Sequence, residues 1–157
     1  MNLKISDQKA RELYKTGSIE VKLILEESFG KGFFSMDITD RIKSYEDACE
    51  YLGIKPIDED KLMSFGLTTQ DIAYQKMCTI VKALNEEWVP DVCDSNVYRY
   101  YPYFCTNGSP SAFAFDSSHC AYSRADAGGG SRLALKSVEL SDYCGTQFIN
   151  LWKQFIL

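Results

Sequence analysis

Through the first half of the chain apolar residues recur every three or four positions, the spacing of helices. Alternation of apolar with polar positions begins only after residue 96. Ser6 is placed to cap a short helix carrying Ala10, Leu13 and Tyr14, which Gly17 ends. Ser18 caps the next, where Val21, Ile24, Leu25 and Phe29 line one side and Gly30 stops the run. Residues 30–36 (GKGFFSM) then read as a hinge, dividing the chain into an appended helical lobe, 1–36, and a core domain, 37–157.

Beyond the hinge the punctuation is sharper. Ser44-Tyr45-Glu46-Asp47 is a capping box, and its helix is expected to bury Tyr45, Ala48, Cys49 and Leu52 before Gly53 ends it. Pro56 and Asp58 open a short turn of helix through Leu62. Thr68-Thr69-Gln70-Asp71 is a second capping box. It starts a long helix to about Trp88 on the stripe Ala73, Met77, Ile80, Val81, Leu84, closed by Pro90.

Strand signals follow at residues 96–105 (NVYRYYPYFC), 111–115 (SAFAF), 120–124 (CAYSR) and 132–136 (RLALK), with turn residues between them. Ser137 caps a final helix whose apolar face is Leu140, Cys144, Phe148, Leu151, Trp152 and Phe155. Gly145 inside that helix costs about 1 kcal/mol against Ala, which close packing on the sheet would explain. The predicted architecture is α+β: N-terminal helices, then a small antiparallel meander of about three to four strands, covered by a C-terminal helix.

Composition narrows the function classes. The 157 residues carry 17 Lys+Arg against 22 Asp+Glu, a net charge of −5, which argues against bulk electrostatic coating of DNA. The acidity is uneven: residues 1–60 hold nine basic and 13 acidic side chains, residues 97–157 five and four. No run approaches the roughly 20 apolar residues of a membrane span. The opening MNLKISDQKA has no signal-peptide core, so reduced thiols in a cytoplasm are expected. Cys49, Cys78, Cys93, Cys105, Cys120 and Cys144 show no C-x-x-C pair, and three of them fall on helical apolar stripes as small hydrophobes. No cofactor or metal site is expected.

Strand alternation assigns the remaining chemistry. Phe113, Phe115, Leu133 and Leu135 form the apolar set beneath the last helix. If Arg99 faces outward, the open sheet face presents Arg99, Tyr101, Tyr103, Tyr122, Arg124, Arg132 and Lys136. Tyrosines among cations suit a protein interface. They also suit stacking of single-stranded nucleic acid, the alternative reading, and arginine stems lying over tyrosine rings need no ligand at all. Gly128-Gly129-Gly130 precedes a strand rather than a helix, so it is a turn and not a phosphate cradle. The single histidine, His119, adjoins Cys120, but strand neighbours point to opposite faces and do not make a nucleophile–base pair. An enzyme built from dispersed carboxylates and tyrosines is the third reading, and no residue pair selects it. An exposed edge such as residues 96–105 can also pair with a second copy.

Residues 9–15 (KARELYK), 18–29 and 40–53 (DRIKSYEDACEYLG) resemble segments of an uncharacterised family of small proteins encoded by phages, prophages and mobile elements of Bacteroidetes. The later pattern is closer. NVYRYYPYF, the SAFAF strand and GSRLALKSVELSDYCGTQFINLWKQF are similar to a signature that ends G-S-R-L-x-x-K-[ST]-x-E-L-x-x-Y-x-G-x-Q-F. Ala134 and Leu135 depart from it, standing where a cysteine and an aromatic are usual, and Ala112 replaces a glycine. The resemblance implies a mobile-element protein of a bacterial cytoplasm or a virion, supplies no activity, and adds weight to Arg132, Lys136 and Gln147. The combined expectation is a non-enzymatic protein-binding module.

Overall fold

The computed structural model describes residues 5–35, 37–86, 88–91, 93–94, 96–121 and 131–157. The protein is α+β. Helices α1 (Asp7–Thr16), α2 (Ile19–Phe29) and α3 (Lys31–Ser35) come first, followed by α4 (Ile38–Arg41), α5 (Tyr45–Leu52), α6 (Glu59–Ser64) and α7 (Thr69–Leu84). Strands β1 (Arg99–Cys105) and β2 (Ala114–Ala121) then precede α8 (Val138–Gln147) and α9 (Ile149–Ile156). No helix among the described residues is long and apolar enough to cross a membrane.

Local chemistry sets the helix starts. In both capping boxes the hydroxyl of Ser44 or Thr68 accepts from the backbone N–H three residues on, while Asp47 or Asp71 reaches back to the cap N–H. Ser6 caps α1 and Ser137 caps α8 in the same manner. The hinge expected at residues 30–36 contains α3 instead. There Phe33 and Phe34 join Tyr14 and Phe29 in an aromatic cluster, with Tyr14 and Phe34 stacked at 4.0 Å.

The main core draws its residues from Ile38 onward. Met77, Ile80, Val81 and Leu84 of α7 meet Ala48, Cys49 and Tyr51 of α5, Leu140 and Cys144 of α8, and Trp152 of α9. Leu133 and Leu135 close it, with Phe104 and Phe113 packed alongside. On α5, Tyr51 is buried alongside Tyr45, Ala48 and Cys49, while Leu52 is only partly so. The final helix is two: the chain turns at Phe148, whose buried ring anchors the bend, and the Trp152 indole N–H donates to the Cys144 carbonyl across it at 3.2 Å.

Of the strand expected at 120–124, the part beyond residue 121 lies outside the described residues. Among the described residues the sheet is a two-stranded antiparallel ribbon, with Tyr101 opposite His119, Tyr103 opposite Ser117 and an irregularity between Tyr103 and Phe104. Asn107 and Gly108 take left-handed backbone in the turn, and Ser109 then caps a 3-10 turn over Pro110–Ala112. Residues expected to open a strand at 111 therefore coil first. β2 then runs unbroken through Asp116-Ser117-Ser118-His119, a polar stretch that sequence reading takes for a connection between two strands.

Residues 132–136 are not a full strand either. They make a single bridge, in which Tyr100 and Leu135 exchange both backbone hydrogen bonds at 3.0 and 2.9 Å. The next ladder positions are taken by a side chain. Buried Asn85 donates Nδ2–H to the Ala134 carbonyl at 2.7 Å and accepts the Lys136 N–H on Oδ1 at 3.0 Å. Asn85 is the C-cap of α7, its N–H still bonded to the Val81 carbonyl, and the positive φ of 57° at Glu86 turns the chain away, so the helix ends at Leu84, short of Trp88.

Candidate functional site

The predicted sheet face does not assemble as one surface. Arg99, expected outside, is 1% exposed and buried. Alternation fixes that Arg99 and Tyr103 share a side but not that the side is equally open along its length, and only the Tyr103 end is uncovered. Lys136 is turned toward the end of α7, where Nζ pairs with Glu86 Oε2 at 2.8 Å and contacts the Asn85 carbonyl at 3.5 Å. Arg132 is exposed, but its charge is felt by Tyr74 and Cys78 of α7, away from the ribbon. Tyr122 and Arg124 lie outside the described residues. Tyr101 is half-buried and Tyr103 exposed.

What remains at the open end of the ribbon is a small aromatic–polar patch. The Tyr103 ring, 52% exposed, lies 4.3 Å from the exposed His119 ring. Ser117 Oγ sits 3.2 Å from His119 Nε2 and 3.0 Å from Asp116 Oδ2. The sequence pairs His119 with its neighbour Cys120 only to separate them, while the i,i+2 spacing of Ser117 and His119 on a strand places these two on one side. The arrangement is not an activated nucleophile. The hydroxyl has one proton, the ionised carboxylate can only accept it, and the imidazole is therefore the donor to Ser117. A general base must do the reverse.

A cleft of about 690 Å³ opens at the other side of the fold, between α1, α4, the end of α7 and the start of α8. Its walls include Arg11, Asp37, Glu86, Lys136, Glu139 and Tyr143. Glu86 stands at its centre, between Lys136 and Arg11, whose guanidinium is 3.8 Å away. Burial works to raise the Glu86 pKa, and the Lys136 hydrogen bond and charge, with Lys15 and Arg11, outweigh it and hold it low. Asp37 is lowered by hydrogen bonds from the backbone and hydroxyl of Thr39, and Glu139 by hydrogen bonds from its own N–H and Ser137. Burial pushes Tyr143 up to about 12, and its hydroxyl donates to the Ile42 carbonyl at 2.7 Å. All four displacements move away from neutrality. A group poised for acid–base work near pH 7 is shifted toward it, the opposite of all four directions here.

The network behind the cleft ties the N-terminal lobe to the rest of the fold. Gln8 Nε2 donates to the Glu86 carbonyl at 3.5 Å, and Arg11 donates to the Phe33 carbonyl at 2.8 Å. Arg41 pairs with Asp7 and lies 3.8 Å over the Phe33 ring. Burial raises Asp7 despite Arg41 beside it and pushes buried Tyr51 up to about 12. These are the bonds of an internal seam.

Polar residues of the signature-like run of the C-terminal third are tied to the rest of the fold. Ser137 caps α8, Tyr143 and Gln147 bond the carbonyls of Ile42 and Lys43, and Gly145 sits against Phe115 and Pro102. All six cysteines are free thiols, with Cys49 and Cys144 buried. Among the described residues no group of three or more His, Cys, Asp or Glu side chains is placed to hold a metal ion. Comparison with protein-family models, with curated proteins and with solved structures found no match.

Proposed function

We propose that the chain is a non-enzymatic protein-binding module whose contact surface is the open end of the ribbon, centred on Tyr103 and His119. The observation that carries this reading is the exposed Tyr103–His119 ring pair, with His119 held in turn by Ser117. An amphipathic ring fixed on a strand loses little entropy on binding, which is why tyrosine recurs at interface hot spots. Tyr101 extends the same side. Its resemblance to phage and mobile-element proteins supports an accessory role in a bacterial cytoplasm or a virion.

The distribution of cations favours protein over nucleic acid as the partner. Of the three described side chains expected to meet phosphates, Arg99 is buried, Lys136 is paired with Glu86, and exposed Arg132 lies toward α7. The test is photo-crosslinking in bacterial lysate from a benzophenone residue at position 101, next to the patch. Comparison is with the same chain carrying Tyr103→Ala and His119→Ala. Loss of discrete crosslinked proteins in the double variant is the expected result. An unchanged set overturns the reading, as does a low-salt shift of short oligonucleotides that the double variant abolishes.

A further inference from the structure

The outer half of α2 is the most apolar surface of the N-terminal lobe. The helix packs on α1 and α3 through Leu25 and Phe29, with Val21, Lys22 and Glu26 partly covered. Positions 19, 20, 23, 24, 27 and 28 fall together on the solvent side. Ile24, expected from sequence to line the packed side, is 62% exposed, beside Ile19 at 75% and Leu23 at 55%. Ile19 and Leu23, one turn apart, and Ile24 around the helix from them mark a contact surface, because scattered single residues are what a solvated face tolerates.

The charges within that face say what fits it. Glu20 and Glu27 lie between the aliphatic residues around the helix, and the six outward positions contain no cation. The nearest lysine of α2, Lys22, turns back to sit 5.6 Å over the Tyr14 ring. A second copy docking α2 on α2 would set these glutamates against their own counterparts, which like-charge repulsion opposes. An anionic lipid surface is repelled for the same reason. An exposed face of apolar anchors and fixed negative charge, about 14 Å long from residue 19 to residue 28 at helical rise, matches a helix with leucine-type residues on one side and Lys or Arg beside them.

We propose that the outward face of α2, with Ile19, Leu23 and Ile24 as anchors and Glu20 and Glu27 as charge selectors, docks a basic amphipathic helix of a partner protein. This surface is separate from the Tyr103–His119 patch, and the two are tested apart. The probe is a dye-labelled amphipathic peptide of about five turns built from Leu and Lys, followed by fluorescence anisotropy. The same peptide with Glu replacing Lys serves as its opposite.

Wild type should bind the Leu/Lys peptide and leave the Leu/Glu peptide free. Leu23→Ser with Ile24→Ser should weaken binding at least about tenfold. Glu20→Lys with Glu27→Lys should reverse the preference between the peptides. Unchanged thermal melts would show both variants folded, as expected for exposed positions, and Tyr103→Ala with His119→Ala should leave peptide binding intact. The proposal is overturned if wild type binds neither peptide. It is equally overturned if the α2 variants bind the Leu/Lys peptide as tightly as wild type, which would make the attraction general acidity. A concentration-dependent dimer that Leu23→Ser with Ile24→Ser dissolves would assign the face to a second copy instead.

Discussion

Gly145 offers the most direct check on how the C-terminal helices seat on the ribbon. A Cβ added there would lie 2.4 Å from Cδ2 of Phe115 and 2.8 Å from Cβ of Pro102. Carbon atoms prefer roughly 3.5–4.0 Å, so something must move. The Phe115 ring is half-buried and already has the Phe104 ring edge-on, with centroids 6.2 Å apart. Pro102 cannot rotate at all, being a ring fused to the strand backbone. Overpacking of this kind costs about 1–3 kcal/mol, and a rigid neighbour places it in the upper part of that range. Helix propensity returns about 1 kcal/mol when Ala replaces Gly.

Gly145→Ala should therefore destabilise the protein by about 1–2 kcal/mol net. At roughly 2–4 °C per kcal/mol for a chain of this size, Tm should fall by about 2–8 °C in a thermal melt followed by circular dichroism. Gly32→Ala in α3 is the matched control, because a Cβ there meets nothing within 4 Å. It should leave Tm unchanged or raise it. Adding Phe115→Leu to Gly145→Ala should recover part of the loss, since it clears one of the two contacts. A Gly145→Ala protein that melts at or above the wild-type temperature would refute the packing described for α8.

Asn85→Ala removes both partners of the Ala134 carbonyl and Lys136 N–H, and should cost about 2–4 kcal/mol in urea unfolding at unchanged m-value. Glu86→Gln should destabilise at neutral pH. Because the Glu86 pKa is lowered on folding from 4.5, its contribution is complete above that value and is lost as pH falls through the folded pKa. Melts of wild type and Glu86→Gln should thus converge in acid, and a gap that widens there would contradict the sign. Burial pushes the Cys144 thiol up to about 12, so iodoacetamide at mild alkaline pH should label exposed Cys93 and Cys120 first. Cys144 should react only on unfolding, as read by peptide mass spectrometry.

Features decided within a few residues were legible in the sequence. The capping boxes at Ser44 and Thr68, the caps at Ser6 and Ser137 and the apolar stripe of α7 all follow from local pattern and appear in the structure. What failed were inferences that needed a partner far along the chain. Asn85 reads as the last turn of a helix, and nothing near it announces that its amide will complete a ladder with residues 134 and 136. Once it does, residues 132–136 no longer need a neighbouring strand, and the predicted meander becomes a ribbon with one bridge. The site expectation failed at the same point. Parity grouped Arg99 with Tyr103 but carried no information on what covers each end of the strand. Ile24 shows the complementary error, since α2 is apolar on more than one side and periodicity alone does not choose which side is buried.

The same reasoning separates residues that hold the fold from those left to act. Lys136, Tyr143 and Gln147 look like a signature of activity because polar side chains recur at fixed spacing near a cleft. Each, however, already has a partner within the chain, Glu86, Ile42 and Lys43 in turn. A ligand that recruited Lys136 would have to leave Glu86 half-buried with only Arg11 at 3.8 Å, a desolvation loss that the new contact would first have to offset. Tyr103, His119 and the outward side chains of α2 carry no such obligation to the core. Binding through them forfeits no buried hydrogen bond, and that asymmetry is the physical reason to look for partners at the ribbon end and on α2 before the cleft.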